Sequence, residues 1–246
     1  MGKLKYYLSH FPLGKAVKFF MFYAAKKVLN PHAKVFYSQH GEDGIILNLI
    51  GKKNGFYVDV GCNHPIKESN TFSLYVQQGW LGINIDANDT LTKEFTRTRS
   101  ADTVLCNAVS DTEEELNFYE FHCDTISTVN KEAVDVRTNV SEIKQVRKVQ
   151  ARTLTNILRE QIGDENKEID LLTIDVEGHD MNVLRSLDLT IFRPKLIVIE
   201  IEDFDFANPF KNEVVSYLTG HGYNIEAFDS KNGYFLRERR KALWAK

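Results

Sequence analysis

Apolar residues alternate along the chain between two patterns, starting near residue 42. Short apolar runs, typical of strands buried in a sheet, are followed by segments in which apolar residues recur every three or four positions, as in helices. The runs predict strands at 56–60, 81–85, 103–109, 116–121, 169–174, 196–201, 223–228 and 234–237. The longer period predicts helices at 42–50, 69–78, 90–98, 153–161, 179–187 and 212–218.

This alternation predicts an α/β fold with a mostly parallel sheet and right-handed crossovers. The Lys231-Asn232-Gly233 turn predicts a hairpin, so an antiparallel pair closes the sheet at its C-terminal end. The polar segment 129–150 fits neither pattern, and we interpret it as a substrate-facing loop or lid.

The segment 16–29 is apolar and aromatic but is interrupted by Lys18, Lys26 and Lys27. Its longest charge-free run is far shorter than the ~20 residues that a membrane span needs. Two interpretations stay open. A lysine-rich aromatic helix can lie on an anionic membrane surface, or it can pack on the domain or on a second subunit.

Composition is that of a soluble globular protein, with 43% apolar and 26% charged residues. The net charge is -3, but the charges are distributed unevenly along the chain. Residues 1–41 hold seven lysines and no acidic residue, and residues 237–246 have a net charge of +4. The residues between these two segments therefore have a net charge of -14. An acidic body with basic ends argues against a nucleic-acid binder. Three cysteines without a Cys-x-x-Cys pair favour a reducing compartment, the cytoplasm.

The first predicted strand ends Asp59-Val60-Gly61, where Gly61 lets the backbone approach a ligand closely. The further glycines that a dinucleotide pyrophosphate needs do not follow, which disfavours a nicotinamide-dependent oxidoreductase. Asp86 ends the second strand, where it can bind ribose hydroxyls or cap the next helix. The later strand 169–174 leads into a cluster suited to acid/base or metal chemistry, made of Asp175, Glu177, His179 and Asp180.

Taken in order, several short motifs resemble the FkbM family of methyltransferases over about residues 36–203. They are Ser38-Gln39-His40-Gly41-Glu42-Asp43, Tyr57-Val58-Asp59-Val60-Gly61-Cys62-Asn63-His64-Pro65, Gly79-Trp80-Leu81-Gly82-Ile83-Asn84-Ile85-Asp86 and Ile174-Asp175-Val176-Glu177-Gly178-His179-Asp180. The resemblance implies a class I, Rossmann-like methyltransferase fold, with a seven-stranded mostly parallel sheet and a C-terminal antiparallel hairpin. It also implies S-adenosylmethionine as cofactor and hydroxyl groups of glycan sugars or natural products as acceptors. Cys62 departs from the alanine that is more usual in the family.

The same resemblance assigns roles by position. Cofactor-binding residues would be Gln39, Glu42, Asp59, Gly61, Asn63, Ser69, Asp86, Ala87, Asn107 and Ala108, of which Asp86 would hold the ribose and Asn107 and Ala108 the adenine. The resemblance also implies that Asp175 lies beside the methyl group. The chemistry of the residues themselves, rather than the resemblance, indicates Asp175, Glu177 and His179 as catalytic, with His179 or Asp175 as the base and His64 as a further candidate. The acceptor side would hold His64, Asn70 and Thr128. A divalent metal at Asp175 is a less favoured addition.

We therefore predict an S-adenosylmethionine-dependent O-methyltransferase with three parts: a basic helical arm at 1–35, a methyltransferase domain at 36–237 and a basic tail at 238–246. The predicted partners are a small-molecule or glycan acceptor, no nucleic acid, and peripherally the anionic inner face of a membrane. Two alternatives remain: a non-catalytic scaffold of the same fold that docks through its basic termini, and an NAD-dependent sugar oxidoreductase.

Overall fold

The computed structural model describes residues 3–163, 168–202 and 204–238, and most of the predicted basic tail lies outside them. Its helices are α1 (Lys3–His10), α2 (Leu13–Leu29), α3 (Glu42–Ile50), α4 (Asp89–Thr98), α5 (Lys131–Arg137), α6 (Leu154–Ile162), α7 (Asp180–Arg185) and α8 (Glu213–Gly220). Its strands are β1 (Phe56–Val60), β2 (Leu81–Asp86), β3 (Thr103–Cys106), β4 (Ala108–Val109), β5 (Glu115–Phe121), β6 (Ile143–Arg152), β7 (Leu171–Ile174), β8 (Leu196–Glu200), β9 (Asn224–Phe228) and β10 (Asn232–Leu236).

Seven strands form the main sheet in the order β3-β2-β1-β7-β8-β10-β9. The first five run parallel to one another, whereas β10 is antiparallel to both β8 and β9. The order reverses between β1 and β7, so the cleft of this doubly wound sheet is expected at the carboxyl ends of those strands. The predicted mostly parallel, seven-stranded fold with its C-terminal hairpin is confirmed.

Both faces of the main sheet are buried. Val58 points towards one core together with Leu158 of α6 and Val215 of α8. Tyr57, the next residue along the strand, points to the opposite core with Ile46 of α3. Because successive strand residues face opposite sides, a central strand covered on both sides reads as a continuous apolar run.

The segment 129–150 is not the loop that its polarity predicts. It forms α5 and most of β6, and β6 pairs along its length with β5 in a second, three-stranded sheet, β4-β6-β5. Only Val149 and Ala151 of β6 are buried. Six of the ten residues of β6 are polar or charged, so its sequence lacks the apolar run by which buried strands are recognised.

Two further predictions need correction. The strand predicted at 103–109 breaks at Asn107, whose backbone N–H donates to the carbonyl of Asp86, and Ala108–Val109 joins the second sheet. The C-terminal turn lies before Asn232, because the Asp229 carboxylate accepts the backbone N–H groups of Lys231 and Asn232 and leaves Gly233 inside β10.

The N-terminal helices pack on the domain through an aromatic cluster. Tyr7, Phe11 and Tyr23 are buried against Phe72 and Tyr75. Phe72 precedes the π-helical turn Leu74–Gln78 that leads to β2, and Tyr75 lies within it. The Tyr75 hydroxyl donates to the carbonyl of His10 at 2.8 Å. The inner face of the arm is thus held by the domain. In the described part of the chain, no helix has the length and apolar character of a membrane crossing.

Candidate active site

A cleft opens at the carboxyl ends of β1, β2 and β7, where the strand order reverses. Thirteen of the sixteen predicted site residues line it: Gln39, Asp59, Gly61, Asn63, Ser69, Asn70, Asp86, Ala87, Asn107, Ala108, Thr128, Asp175 and Glu177. The topology accounts for this convergence, because parallel strands end at the same edge of a sheet.

Gly61 forms the tight turn that follows β1. Its φ is +80°, and a Cβ at this position would lie 1.7 Å from the carbonyl oxygen of Asp175. The N–H groups of Gly61 and Cys62 both donate to the Ile85 carbonyl, at 2.9 and 3.2 Å. The close approach that requires glycine is therefore to the protein's own backbone, and it brings the ends of β1 and β7 together beside the cleft.

Asp86 joins the loops after β1 and β2. One carboxylate oxygen accepts the N–H of Asn63 at 2.9 Å, and the other accepts the N–H of Asn88 at 2.7 Å. The cap of α4 is Asn88, which accepts from Thr90 and Leu91, so helix capping does not explain Asp86. A carboxylate has about four acceptor positions, which leaves capacity for two ligand hydroxyls.

Asp59 lies buried at the base of the cleft. Its Oδ2 accepts the Thr71 hydroxyl at 2.7 Å. Burial raises the pKa of Asp59 to about 6, against the lowering effects of the Thr71 bond and of the nearby Arg99 guanidinium. A cation entering the cleft would replace the missing solvation of this carboxylate and favour its ionised form.

Arg99 supports this wall from behind. Its side chain is completely buried, and it donates to the Pro65 carbonyl at 2.7 Å, to Ser69 at 2.6 Å and to Thr71 at 2.9 Å. The guanidinium also stacks over Phe95, 4.7 Å from the ring centre. These bonds fix the segment that carries Ser69 and Asn70 into the cleft. Nothing in the sequence marks Arg99, which follows directly after an ordinary amphipathic helix.

Three carboxylates converge at the ends of β7 and β8. Ligand oxygens of Asp175, Asp180 and Glu200 lie within 4.8 Å of one another. Burial raises the pKa of Asp175 well above its usual value, and repulsion from Glu200 and Glu177 raises it further. Hard oxygen donors of this kind suit Mg²⁺ or Ca²⁺, so the group could hold a divalent ion. Without an ion, the carboxylates lower their repulsion by binding protons.

The three carboxylates differ in their hydrogen bonds. Both oxygens of Asp180 accept backbone N–H groups, from Val176 and Gly178, each at 3.0 Å. Burial raises the pKa of Asp180 to about 7. Glu200 lies 3.6 Å from the Lys231 ammonium, yet its buried Oε2 has no partner among the described residues. Asp175 alone of the three lines the cleft, which makes it the member that a substrate can reach.

Glu177 connects the β7 end to the segment above the cleft. It adopts a left-handed conformation, with φ of +59°. Its carboxylate pairs with Arg137 of α5, and its carbonyl accepts the Thr128 hydroxyl at 2.9 Å. Asn130 donates in the same way to the Gly178 carbonyl at 2.8 Å. Three contacts therefore tie α5 and the residues just before it to the segment that follows β7, and they come from Thr128, Asn130 and Arg137 at the end of the helix.

Three predicted residues lie outside the cleft lining. Glu42 is buried and accepts the His40 N–H at 2.7 Å, so it supports the turn that carries Gln39. His64 Nδ1 accepts the N–H groups of Ile66 and Lys67. His179 contacts the Ser110 hydroxyl at 3.0 Å through Nε2.

The sequence did not indicate the apolar wall of the cleft. Leu91, Phe118 and Val129 line it together with Ala108. Phe118 comes from β5 of the second sheet, and Asp124, Thr125 and Ser127 come from the short turn that follows β5. Leu91 and Phe118 could be found only from the tertiary fold, because nothing near them in the sequence indicates a site. Val129, by contrast, begins the segment 129–150, which the sequence predicts to face the substrate.

Comparison with known families decides the assignment. The model of the FkbM methyltransferase domain matches residues 59–225, about two thirds of the chain. The chain belongs to the FkbM methyltransferase family. Methyl transfer is therefore its reaction class, with S-adenosylmethionine as the methyl donor that the FkbM family implies. The match begins at Asp59, near the end of β1, and ends at Ile225 in β9, so it includes the carboxyl ends of the strands that form the cleft.

One solved structure similar to this FkbM family member is a TehB-like SAM-dependent methyltransferase from Corynebacterium glutamicum ATCC 13032 Kitasato. It is 10% identical, the alignment covers 90% of this chain and 99% of that chain, and the TM-score is 0.39. Among curated proteins, no sequence matches.

Proposed function

We propose that this protein is an S-adenosylmethionine-dependent O-methyltransferase that acts on a hydroxyl group of a glycan sugar or of a natural product. The observation that carries the proposal is the position of Asp175. Its carboxylate lies at the cleft end of β7, and burial and neighbouring carboxylates raise its pKa well above its usual value. A buried carboxylate with a raised pKa is suited to accept a proton from an alcohol as it attacks a methyl group.

The cleft offers distinct surfaces for each part of the donor. Asp86 has free acceptor capacity for ribose hydroxyls, and Ala108, Leu91 and Phe118 form an apolar wall that suits adenine. Asp59 also lines the cleft and can receive the positive end of the amino-acid moiety. The sulfonium, a cation, is favoured by the carboxylates of Asp59 and Asp175. This distribution supports S-adenosylmethionine over a ligand with phosphate groups.

Asp175 is the base that the geometry favours over the two histidines. His179 and His64 lie outside the cleft lining, and burial lowers the pKa of each. In the proposed step, the hydroxyl oxygen attacks the methyl carbon, the carbon–sulfur bond breaks, and the hydroxyl proton passes to Asp175. The products are the methyl ether and S-adenosylhomocysteine.

The acceptor would enter beneath the segment that joins β5 to α5. Thr125, Ser127 and Asn70 line the cleft. The Ser127 hydroxyl accepts the Phe121 N–H, and the Asn70 amide donates to the Thr173 hydroxyl at 3.3 Å, which leaves the Ser127 proton and the Asn70 carbonyl oxygen for a ligand. Neutral hydroxyl and amide groups form hydrogen bonds with either donors or acceptors, as a sugar ring requires. This lining supports a polar, uncharged acceptor. Three free cysteines, Cys62, Cys106 and Cys123, support a reducing, cytoplasmic setting for the reaction.

Binding measurements test the proposal against its alternatives. Isothermal titration should show binding of S-adenosylmethionine and S-adenosylhomocysteine, and none of NAD. Asp86→Ala should weaken both by at least tenfold, whereas Asp205→Ala, an exposed aspartate on a distant turn, should not. Binding of NAD alone would establish the oxidoreductase, and binding of none of the three would favour the scaffold.

Asp175→Asn tests the catalytic step separately. The amide keeps the shape of the side chain but cannot accept the proton, so we expect S-adenosylmethionine binding to be retained and methyl transfer to fall by at least a hundredfold. Transfer of labelled methyl groups to a panel of sugars and glycans is the readout. Wild-type turnover in this variant would remove Asp175 from the mechanism.

A further inference from the structure

An exposed apolar stripe runs along α2 on the side away from the domain. At 3.6 residues per turn, its members fall within a sector of about 100° on the helix. Met21 is 65% exposed and Val28 is 83% exposed. The stripe consists of Leu13, Val17, Phe20, Met21, Ala24 and Val28, all of them exposed.

The inner face of α2 packs against the methyltransferase domain. Ala16 and Tyr23 are buried, and Tyr23 belongs to the aromatic cluster with Phe72. The outer stripe is therefore not needed to hold the helix on the domain. A surface helix normally has one apolar face, and α2 has two.

α1 adds further exposed apolar residues next to α2 in the chain. Leu4 and Leu8, one helical turn apart, are 43% and 47% exposed, whereas Tyr7 between them is buried. Nine of the nineteen large apolar side chains exposed in the described part of the chain belong to α1 and α2. Exposed apolar area concentrated in this way marks a contact surface.

Positive charge borders the stripe on both sides. Lys18 and Lys27 are exposed, and on the helical wheel Lys27 lies about 20° outside one edge of the sector and Lys18 about 60° outside the other. Residues 1–41 contain seven lysines and no acidic residue. The lysine ammonium groups can reach outward while their methylene chains cover apolar surface.

We propose that α1 and α2 dock on an anionic membrane surface, with the stripe inserted at the headgroup boundary and Lys18 and Lys27 against the lipid phosphates. A continuous apolar stripe between lysines is the pattern of an interfacial helix. A protein partner would need acidic side chains placed along both edges of the stripe. An anionic lipid surface supplies negative charge at every position, so charge complementarity favours it.

Co-flotation of the full-length protein with vesicles tests this docking. The protein should float with vesicles of equal parts phosphatidylcholine and phosphatidylglycerol and not with phosphatidylcholine alone. High salt should reduce the bound fraction, because surface charges are then screened. No flotation with the anionic vesicles, or equal flotation with both kinds, would overturn the proposal.

Matched variants identify the surface. The double variant Val17→Ser and Met21→Ser should reduce the bound fraction by at least tenfold. Ile191→Ser with Phe210→Ser removes two exposed apolar residues elsewhere and should leave it unchanged. Lys18→Gln with Lys27→Gln should remove the preference for anionic lipid. Thermal melts check that each variant folds.

Light scattering without lipid tests the alternative that a second copy of the chain, rather than a membrane, covers the stripe. The wild type should be monomeric at the concentrations used for flotation. A dimer that Val17→Ser with Met21→Ser abolishes would assign the stripe to self-association and overturn the membrane proposal. The membrane proposal would also be overturned if Val17→Ser with Met21→Ser floated to the same extent as the control, Ile191→Ser with Phe210→Ser.

Discussion

Gly61 and Asp175 meet backbone to backbone: a Cβ on Gly61 would lie 1.7 Å from the Asp175 carbonyl oxygen. This contact brings the turn after β1 against the end of β7. It therefore links the loop that carries Asn63 to the proposed base. The proposed cofactor-binding loop and the proposed base are therefore positioned by the same close approach.

Gly61→Ala should consequently be severe. The methyl group cannot fit without displacing the β7 end, so we expect the free energy of unfolding to fall by about 3 kcal/mol or more. Urea denaturation measures it. Gly51→Ala is the matched control, because Gly51 also has a positive φ, +59°, but its Cβ would meet nothing closer than the Leu47 carbonyl oxygen at 4.0 Å. That variant should lose only the ~1–2 kcal/mol cost of the left-handed conformation. Equal losses would contradict a role for the contact itself.

Replacing Arg99 should loosen the wall that carries Ser69. Arg99→Met keeps much of the apolar volume but leaves the hydroxyls of Ser69 and Thr71 and the carboxylate of Asp59 without their cation. We expect a loss of about 3 kcal/mol in unfolding free energy, typical of breaking a buried charged network, and weaker binding of S-adenosylhomocysteine. Arg97→Met alters an exposed arginine in the last turn of α4, two residues before Arg99, and should cost less than 0.5 kcal/mol, as is usual at the surface. Chemical denaturation of both variants checks the difference.

Much of the cleft follows from the sequence because its groups stand at strand ends. Asp59, Asp86 and Asp175 each end or directly follow a buried strand that its apolar residues identify, and a parallel sheet brings such ends together. β1 and α3 have the predicted bounds. A glycine in a left-handed conformation directly follows each of them, Gly51 after α3 and Gly61 after β1.

The rest depends on tertiary contacts that leave no local trace. Glu200 lies beside Asp175 because β7 and β8 are neighbours in the register Ile174↔Ile199, twenty-five positions apart. His179 follows the same strand end as Asp175, yet α7 starts at the next residue and its ring contacts Ser110. β6 could not be recognised in the sequence, because most of its residues are exposed and they form no apolar run. A single sequence shows which residues can do chemistry, but it does not show which way each one faces.

Arg137 should affect the acceptor more than the cofactor. It pairs with Glu177 and donates to the Ile126 carbonyl at 3.1 Å, so it positions the segment above the acceptor side of the cleft. Arg137→Met should raise KM for the acceptor about tenfold, the equivalent of one charge-assisted hydrogen bond. Binding of S-adenosylmethionine should change less than twofold. Lys148→Met, at an exposed position on β6, should alter neither quantity. A selective loss of cofactor affinity would contradict this division of the cleft.

The affinity for S-adenosylmethionine should rise with pH. Burial raises the pKa of Asp59 to about 6 and that of Asp175 well above its usual value, so protons occupy these carboxylates in the free cleft at acidic pH. A bound sulfonium favours the ionised carboxylates, and the protons must leave when the cofactor binds. Arg99 already opposes protonation of Asp59, whereas Glu177 and Glu200 promote protonation of Asp175. Affinity should therefore increase between about pH 5 and 7, by at most tenfold per pH unit for each proton released.

Isothermal titration in two buffers with different ionisation enthalpies measures that proton release directly. S-adenosylhomocysteine is the matched ligand, because it has the same adenosine and amino-acid groups but lacks the sulfonium charge. It should release fewer protons and show a shallower pH dependence. Asp59→Asn should reduce the release for both ligands if Asp59 faces their common ammonium group. Equal proton release by the two ligands in the wild-type protein would show that the sulfonium does not lie beside these carboxylates, and the proposed orientation of the cofactor would then be wrong.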